Sequence, residues 1–184
     1  MCYPRLLAPL MLCMAIIVLS GCGSDDGGTG TGGPDDEGFK QTTAGGVTFK
    51  WKVEDPDLLV KLSASTTGWV SVGFDPTSRM RDANIIIGYV SGSTVSVRDD
   101  YGSGPTAHQA DTSGGGTDDV SDAGGSESGG VTEVTFSIPL DSGDQRDRPL
   151  TEGNTYTIIL GRGPDGSDGF SALHSARATA TITL

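Results

Sequence analysis

The stretch 68–90 reads GWVSVGFDPTSRMRDANIIIGYV, and its two halves carry different hydrophobic patterns. Trp69-Val70-Ser71-Val72-Gly73-Phe74 is short, rich in β-branched and aromatic residues, and stopped by Asp75-Pro76. That combination predicts a strand. Ile85-Ile86-Ile87-Gly88-Tyr89-Val90 is continuously apolar. Such a run fits a central strand buried on both faces. A polar loop carrying Met80 joins the two.

The same reading extends outward. Val47, Phe49, Trp51 and Val53 alternate with polar residues, as do Leu58, Val60, Leu62 and Ala64, with the turn Asp55-Pro56-Asp57 between them. Thr94 to Val97 follows a Ser-Gly-Ser turn. Further strands are expected at 131–138 and 155–160, and at 178–184, where Ala178, Ala180, Ile182 and Leu184 alternate with Thr. No long stretch repeats apolar residues at helical spacing. The expected fold is all-β, an antiparallel immunoglobulin-like β-sandwich with long acidic loops. The longest of these is 99–128, which holds seven acids and no Lys or Arg and is expected to be loop with one short strand at most.

The chain has 184 residues, 29 of them Gly, which suits one domain rather than two plus linkers. With 24 Asp+Glu against 12 Lys+Arg its net charge is −12. No basic block exists to neutralise phosphates, so nucleic acid is excluded as a partner. No G-x-S-x-G elbow and no H-E-x-x-H motif occurs, and nothing singles out a catalytic acid pair. The chain is therefore expected to be a monomeric, non-enzymatic module.

The opening MCYPRLLAPLMLCMAIIVLSGC has one charge, Arg5, a short apolar run, and Leu19-Ser20-Gly21-Cys22. This pattern describes a secretory signal at 1–21. The Cys at the cut resembles the bacterial lipobox. That resemblance implies a lipidated Cys22, a membrane-anchored chain, and a place in the bacterial cell envelope on the extracytoplasmic side, periplasmic or at the cell surface. An uncleaved transmembrane anchor is the alternative, but the run is shorter than the roughly 20 residues a span needs. Residues 22–46 are Gly-rich and acidic and are expected to form a disordered tether reaching about 25–30 Å, with the domain at 47–184. Cys2, Cys13 and three of the Met residues would leave with the signal. Soft or imidazole metal ligands must then come from Met80, His108 and His174.

Three stretches together resemble the DOMON domain family. The first is Gly68 to Pro76 followed by Met80-Arg81-Asp82-Ala83-Asn84-Ile85-Ile86-Ile87-Gly88-Tyr89. The second is Val95-Ser96-Val97-Arg98-Asp99-Asp100-Tyr101. The third is Val134 to Asp144, with Ile138 where the family commonly has Arg. The haem-binding cytochrome type of this family, to which the cytochrome domain of cellobiose dehydrogenase belongs, holds haem b between a Met and a His. Met80 and His174 match those positions. The resemblance thus implies non-covalent haem b, iron held by Met80 and His174, and one-electron transfer with a separate, unidentified redox protein. No C-x-x-C-H is present for covalent attachment. Trp69, Phe74 and Tyr89 are the candidate apolar wall, and Arg177, Arg79 or Arg81 could pair with propionates.

Other readings stand beside it. A lone Met beside an apolar strand is usually core filling, and a lone His in a Ser/Ala loop is usually just exposed. His108 matches no ligand position and is expected to be solvent-exposed. A haem-free DOMON module binding sugar or another surface ligand could use Trp51 or Trp69 if either is exposed. A copper site would need His108, His174 and Met80 to converge. Gly163 to Gly169 lacks the closing Glu of a calcium loop and reads as a hairpin turn. The acidic segment 99–128 could steer a basic redox partner or simply keep the surface solvated.

Overall fold

The computed structural model describes residues 33–184, and within them eleven strands form two antiparallel sheets. One sheet has the order β1 (Lys40–Ala44), β2 (Val47–Glu54), β3 (Asp57–Ala64), β9 (Val131–Pro139), β8 (Ser121–Ser128). The other runs β11 (Ala176–Thr183), β10 (Thr155–Arg162), β4 (Val70–Phe74), β5 (Asn84–Ser91), β6 (Thr94–Gly104), β7 (Ala107–Ala110). The expected all-β sandwich is the fold that forms.

Alternation decides the core. On β2, Val47, Phe49 and Trp51 are buried, and their ladder partners on β3 are Ala64, Leu62 and Val60. Register partners in an antiparallel pair share a face, so these six side chains line one inner surface. Val134, Phe136 and Ile138 of β9 continue it. The opposing sheet contributes Val70, Val72 and Phe74 from β4, Ile86 and Val90 from β5, and Ile158 and Leu160 from β10. Phe49 joins the layers: it stacks on Trp51 at 5.2 Å and meets Phe74 edge-on at 6.0 Å. Gly88 lets the sheets approach here, since a Cβ there would stand 2.9 Å from Cγ1 of Val134.

Three strands depart from the sequence expectation, and all three are sheet edges. The stretch 99–128 is not one long loop. β6 continues through Asp99 to Gly104, β7 follows, a 3-10 turn covers Asp111–Gly114, and β8 completes it. Likewise β1 occupies 40–44, inside the residues expected to be tether. Residues before β1 are structured as well. The Asp35 carboxylate accepts the N–H groups of Glu37 and Phe39 and the Lys50 ammonium at 2.9 Å, and Phe39 is buried. An edge strand packs little against the core and is protected by charges rather than an apolar stripe. β8, SDAGGSES, therefore carries almost no periodic signal. The signal expected at 1–21, Cys22, and the tether up to residue 32 lie outside the described residues.

Candidate functional site

β5 turns Ile86 and Val90 into the core, so Ile85, Ile87 and Tyr89 face outward from the six-stranded sheet. Outer faces of sandwiches are ordinarily polar. Here Ile85 is 4% and Ile87 2% exposed. Three features cover them. Gly73 of β4 leaves room for Ile159 and Ile85 to meet above it, since a Cβ there would stand 2.7 Å from Cγ1 of Ile159. Arg98 and Asp100 of β6 lie level with Ile87 and Ile85. The loop 163–175 then crosses the sheet. It is anchored by Gly163 N–H to the Trp69 carbonyl (2.8 Å) and Thr67 N–H to the Asp165 carboxylate (3.0 Å). It delivers Phe170 edge-on to Tyr89 at 5.1 Å, with the Arg98 guanidinium 4.3 Å from the Phe170 ring centre.

Asp100 anchors the polar side of this face. It is 1% exposed and holds Arg98 in a fork, with Nη2 to Oδ2 at 2.7 Å, and His108 through Nδ1 at 2.5 Å. Burial alone would raise its carboxyl, but the hydrogen bonds from His108 and Arg98 outweigh that and hold it below the usual carboxylate range. His108 is therefore not the freely exposed residue that the sequence suggested. β7 is held against β6, and that pairing brings the ring to Asp100.

Met80 sits half-buried in the turn before β5. Its carbonyl accepts the Ala83 N–H at 3.2 Å, and its N–H points to the Pro105 carbonyl at 3.4 Å. The turn is strained: Asp75, Arg79 and Asp82 have φ of 49, 56 and 60°, a region non-glycine residues rarely occupy. Strain of this kind concentrates at ligand clamps and active sites. His174 is also half-buried, and its Nε2 accepts a hydrogen bond from Nη1 of Arg177 at 3.0 Å. Arginine can only donate, so that nitrogen presents a lone pair, the form a metal needs.

Met80 and His174 are not side by side. Ser175 bonds to Arg162, which is level with Val70 and Gly88, whereas Ala83 leads into Asn84, level with Phe74 and Ile158. The two loops thus lie at opposite ends of β4, a span of four residues or roughly 13 Å. Trp69 and Tyr89 do lie on the outer face. Trp69 covers Gly161 and Gly163, where a Cβ would meet its ring, and is 5% exposed. Phe74 does not, because its parity with Val70 and Val72 turns it into the sandwich against Phe49. Trp51 is buried in the core, so neither Trp offers an open ring face. Phe170, Arg98 and Asp100 belong to the site and were not singled out from sequence. The signal for the last two was period-two alternation in 95–101.

The family model for the DOMON domain matches residues 43–163. The chain belongs to the DOMON domain family. Two solved structures share the fold of this DOMON domain. The cytochrome b domain of pyranose dehydrogenase from Coprinopsis cinerea superposes with a TM-score of 0.56 at 13% identity, covering 74% of this chain and 75% of that one. The cytochrome domain of Myriococcum thermophilum cellobiose dehydrogenase gives 0.55 at 12% identity, covering 84% and 88%. At such identities the likeness is one of fold. No curated protein sequence matches the chain significantly. The matched region includes Met80 and stops before His174. Among the described residues no helix is long and apolar enough to cross a membrane.

Proposed function

We propose that this DOMON domain is an extracytoplasmic b-type cytochrome that holds haem non-covalently through Met80 and His174. The observation that carries the reading is the outer face of β5, apolar and crossed by the same loop that bears His174. The donor set fits: a thioether from a strained turn and an imidazole nitrogen presenting its lone pair. When bound, haem would supply one-electron exchange at its iron, which Met80 and His174 would hold, and a Met ligand would raise the potential relative to two His. Trp69, Tyr89 and Phe170 would exclude water. Arg177, released from His174, would pair with a propionate. Joining both donors to one iron requires the 163–175 loop to close along the sheet toward Met80. Leu173, 86% exposed beside His174, is the apolar side chain such closure would cover. The chain itself performs no bond chemistry, is anchored through lipidated Cys22, and exchanges electrons with a separate redox protein.

The test is an absorption spectrum of the full chain supplied with haem, oxidised and then reduced with dithionite. The expected result is stoichiometric uptake with sharp reduced α and β bands. Those bands are lost or shifted to high spin in both Met80→Ala and His174→Ala. No stoichiometric uptake by folded protein would overturn the reading and turn attention to glycan binding.

A further inference from the structure

Successive residues of a strand point to opposite faces, and β6 uses this at Asp99-Asp100. Asp100 joins the outer face, while Asp99 turns inward, toward the chain that links β7 to β8 and the segment after β9. Asp99 is 2% exposed. Its Oδ2 accepts the Asp119 N–H at 3.1 Å, and its Oδ1 is buried with no hydrogen-bond partner among the described residues. A buried carboxylate oxygen without a partner is costly and needs an explanation. Asp119 and Asp147 supply one. One oxygen from each of Asp99, Asp119 and Asp147 lies within 4.8 Å of the others.

We propose that Asp99, Asp119 and Asp147 form a calcium site, separate from the outer face of β5. Calcium sits 2.3–2.6 Å from its oxygen ligands, so one ion spans oxygens up to about 5 Å apart. Magnesium, at 2.0–2.1 Å, spans only about 4.2 Å and demands stricter geometry. The donors are all carboxylate oxygens, with no His or Cys, which selects a hard cation over a transition metal. Supporting hydroxyls orient the ligands: Thr117 Oγ1 donates to Asp119 at 2.8 Å, and Ser142 Oγ donates to Asp147 at 2.6 Å.

The surroundings lack positive charge. Among the described residues no Lys or Arg forms an ion pair with any of the three. The two guanidiniums that flank Asp147 in the chain are engaged elsewhere: Arg146 donates to the Gly114 carbonyl at 2.9 Å and covers the Tyr101 ring at 4.4 Å, and Arg148 pairs with Asp75. Further acids adjoin. Asp111, fully buried, has neither carboxylate oxygen hydrogen-bonded, and with Asp144 it flanks Gly116, where a Cβ would stand 2.3 Å from Asp111 Oδ2. Burial pushes Asp99 up to about 8 against the Asp119 backbone hydrogen bond, and Asp147, Asp111 and Asp118 add to the rise. A hollow of about 710 Å³ is lined by Thr117 and Ser142, the residues that donate to Asp119 and Asp147, and so borders the cluster.

The test is calorimetric titration of the EGTA-treated full chain with calcium chloride, with thermal melting alongside. One calcium per chain and a raised Tm are expected, with magnesium at least about tenfold weaker. Asp99→Asn and Asp147→Asn should each weaken calcium binding about 100-fold or more. Asp165→Asn, in the loop over the opposite face, should leave it unchanged. Asp147 is only half-buried, so Asp147→Asn decides the matter even if Asp99→Asn does not fold. No heat and no change in Tm at millimolar calcium would overturn the site. So would calcium binding that Asp147→Asn leaves intact. None of these readings depends on haem, so failure here leaves the electron-transfer proposal standing.

Discussion

Gly102 lies against the Met80 turn so closely that a Cβ there would stand 1.6 Å from the Met80 carbonyl oxygen. The clash is with backbone, which cannot rotate away. Gly102→Ala is therefore expected to cost about 1–3 kcal/mol by urea unfolding, and to displace Met80 enough to lose the sharp reduced bands of a haem-loaded chain. Arg98 makes a different kind of contribution. Removing it strips the guanidinium fork from a carboxylate that is 1% exposed, leaving Asp100 with His108 alone. Arg98→Ala is expected to lower stability by about 3 kcal/mol, and by less at a pH low enough to protonate Asp100. An unfolding series at pH 7 and pH 3 checks both statements. The legible part at this scale was parity: 95–101 alternates, so Asp99 and Asp100 had to diverge. Nothing local in the chain says that Asp99 would meet residues twenty and forty-eight positions onward.

Edge strands set the limit at the scale of elements. β2, β3 and β9 alternate because one face of each is buried, and β5 is apolar from Ile85 to Val90 because both of its faces are covered. β1, β7 and β8 lie at sheet edges and lack such a pattern, whereas β11, the fourth edge, keeps it and buries Ile182. β1 is held partly by the Asp35 turn, which gives it a pH response. The Lys50 hydrogen bond, then the Phe39 N–H, hold the Asp35 carboxyl below its ordinary value of 3.8. A depressed carboxyl stabilises the fold above its unfolded value and stops doing so as pH falls through its folded one. Below about pH 4 the amides of Glu37 and Phe39 should therefore exchange faster with solvent, ahead of those in β2. Unchanged protection of these amides down to pH 2 would show that the turn does not depend on Asp35. The loop 163–175 is the other element whose role is testable. Phe170→Ala removes an aromatic pair worth about 1 kcal/mol, and should make the loop measurably more sensitive to protease while the sandwich stays folded.

The whole molecule carries a formal charge of −12, and a field of that size acts on approaching partners before contact. In a haem-loaded chain, reduction by a cationic redox protein should slow steeply as sodium chloride rises from 10 to 300 mM, because the Debye length shrinks from about 30 Å to under 8 Å. Reduction by a neutral quinol should not. Stopped-flow traces at the two salt levels distinguish the cases. Charge, class and family were determined by the sequence itself, since composition needs no fold and alternation follows from the geometry of a strand. The sequence also determined which residues share a face, as with Val70, Val72 and Phe74. The tertiary structure alone decided which face turns inward, because that depends on what the opposite sheet offers. It sent Phe74 to the core against Phe49 and left Trp69 and Tyr89 outside. It alone also brought Phe170 over Tyr89, His108 to Asp100, and Asp119 and Asp147 to Asp99. These contacts join segments distant in the chain, and a local pattern carries no record of them.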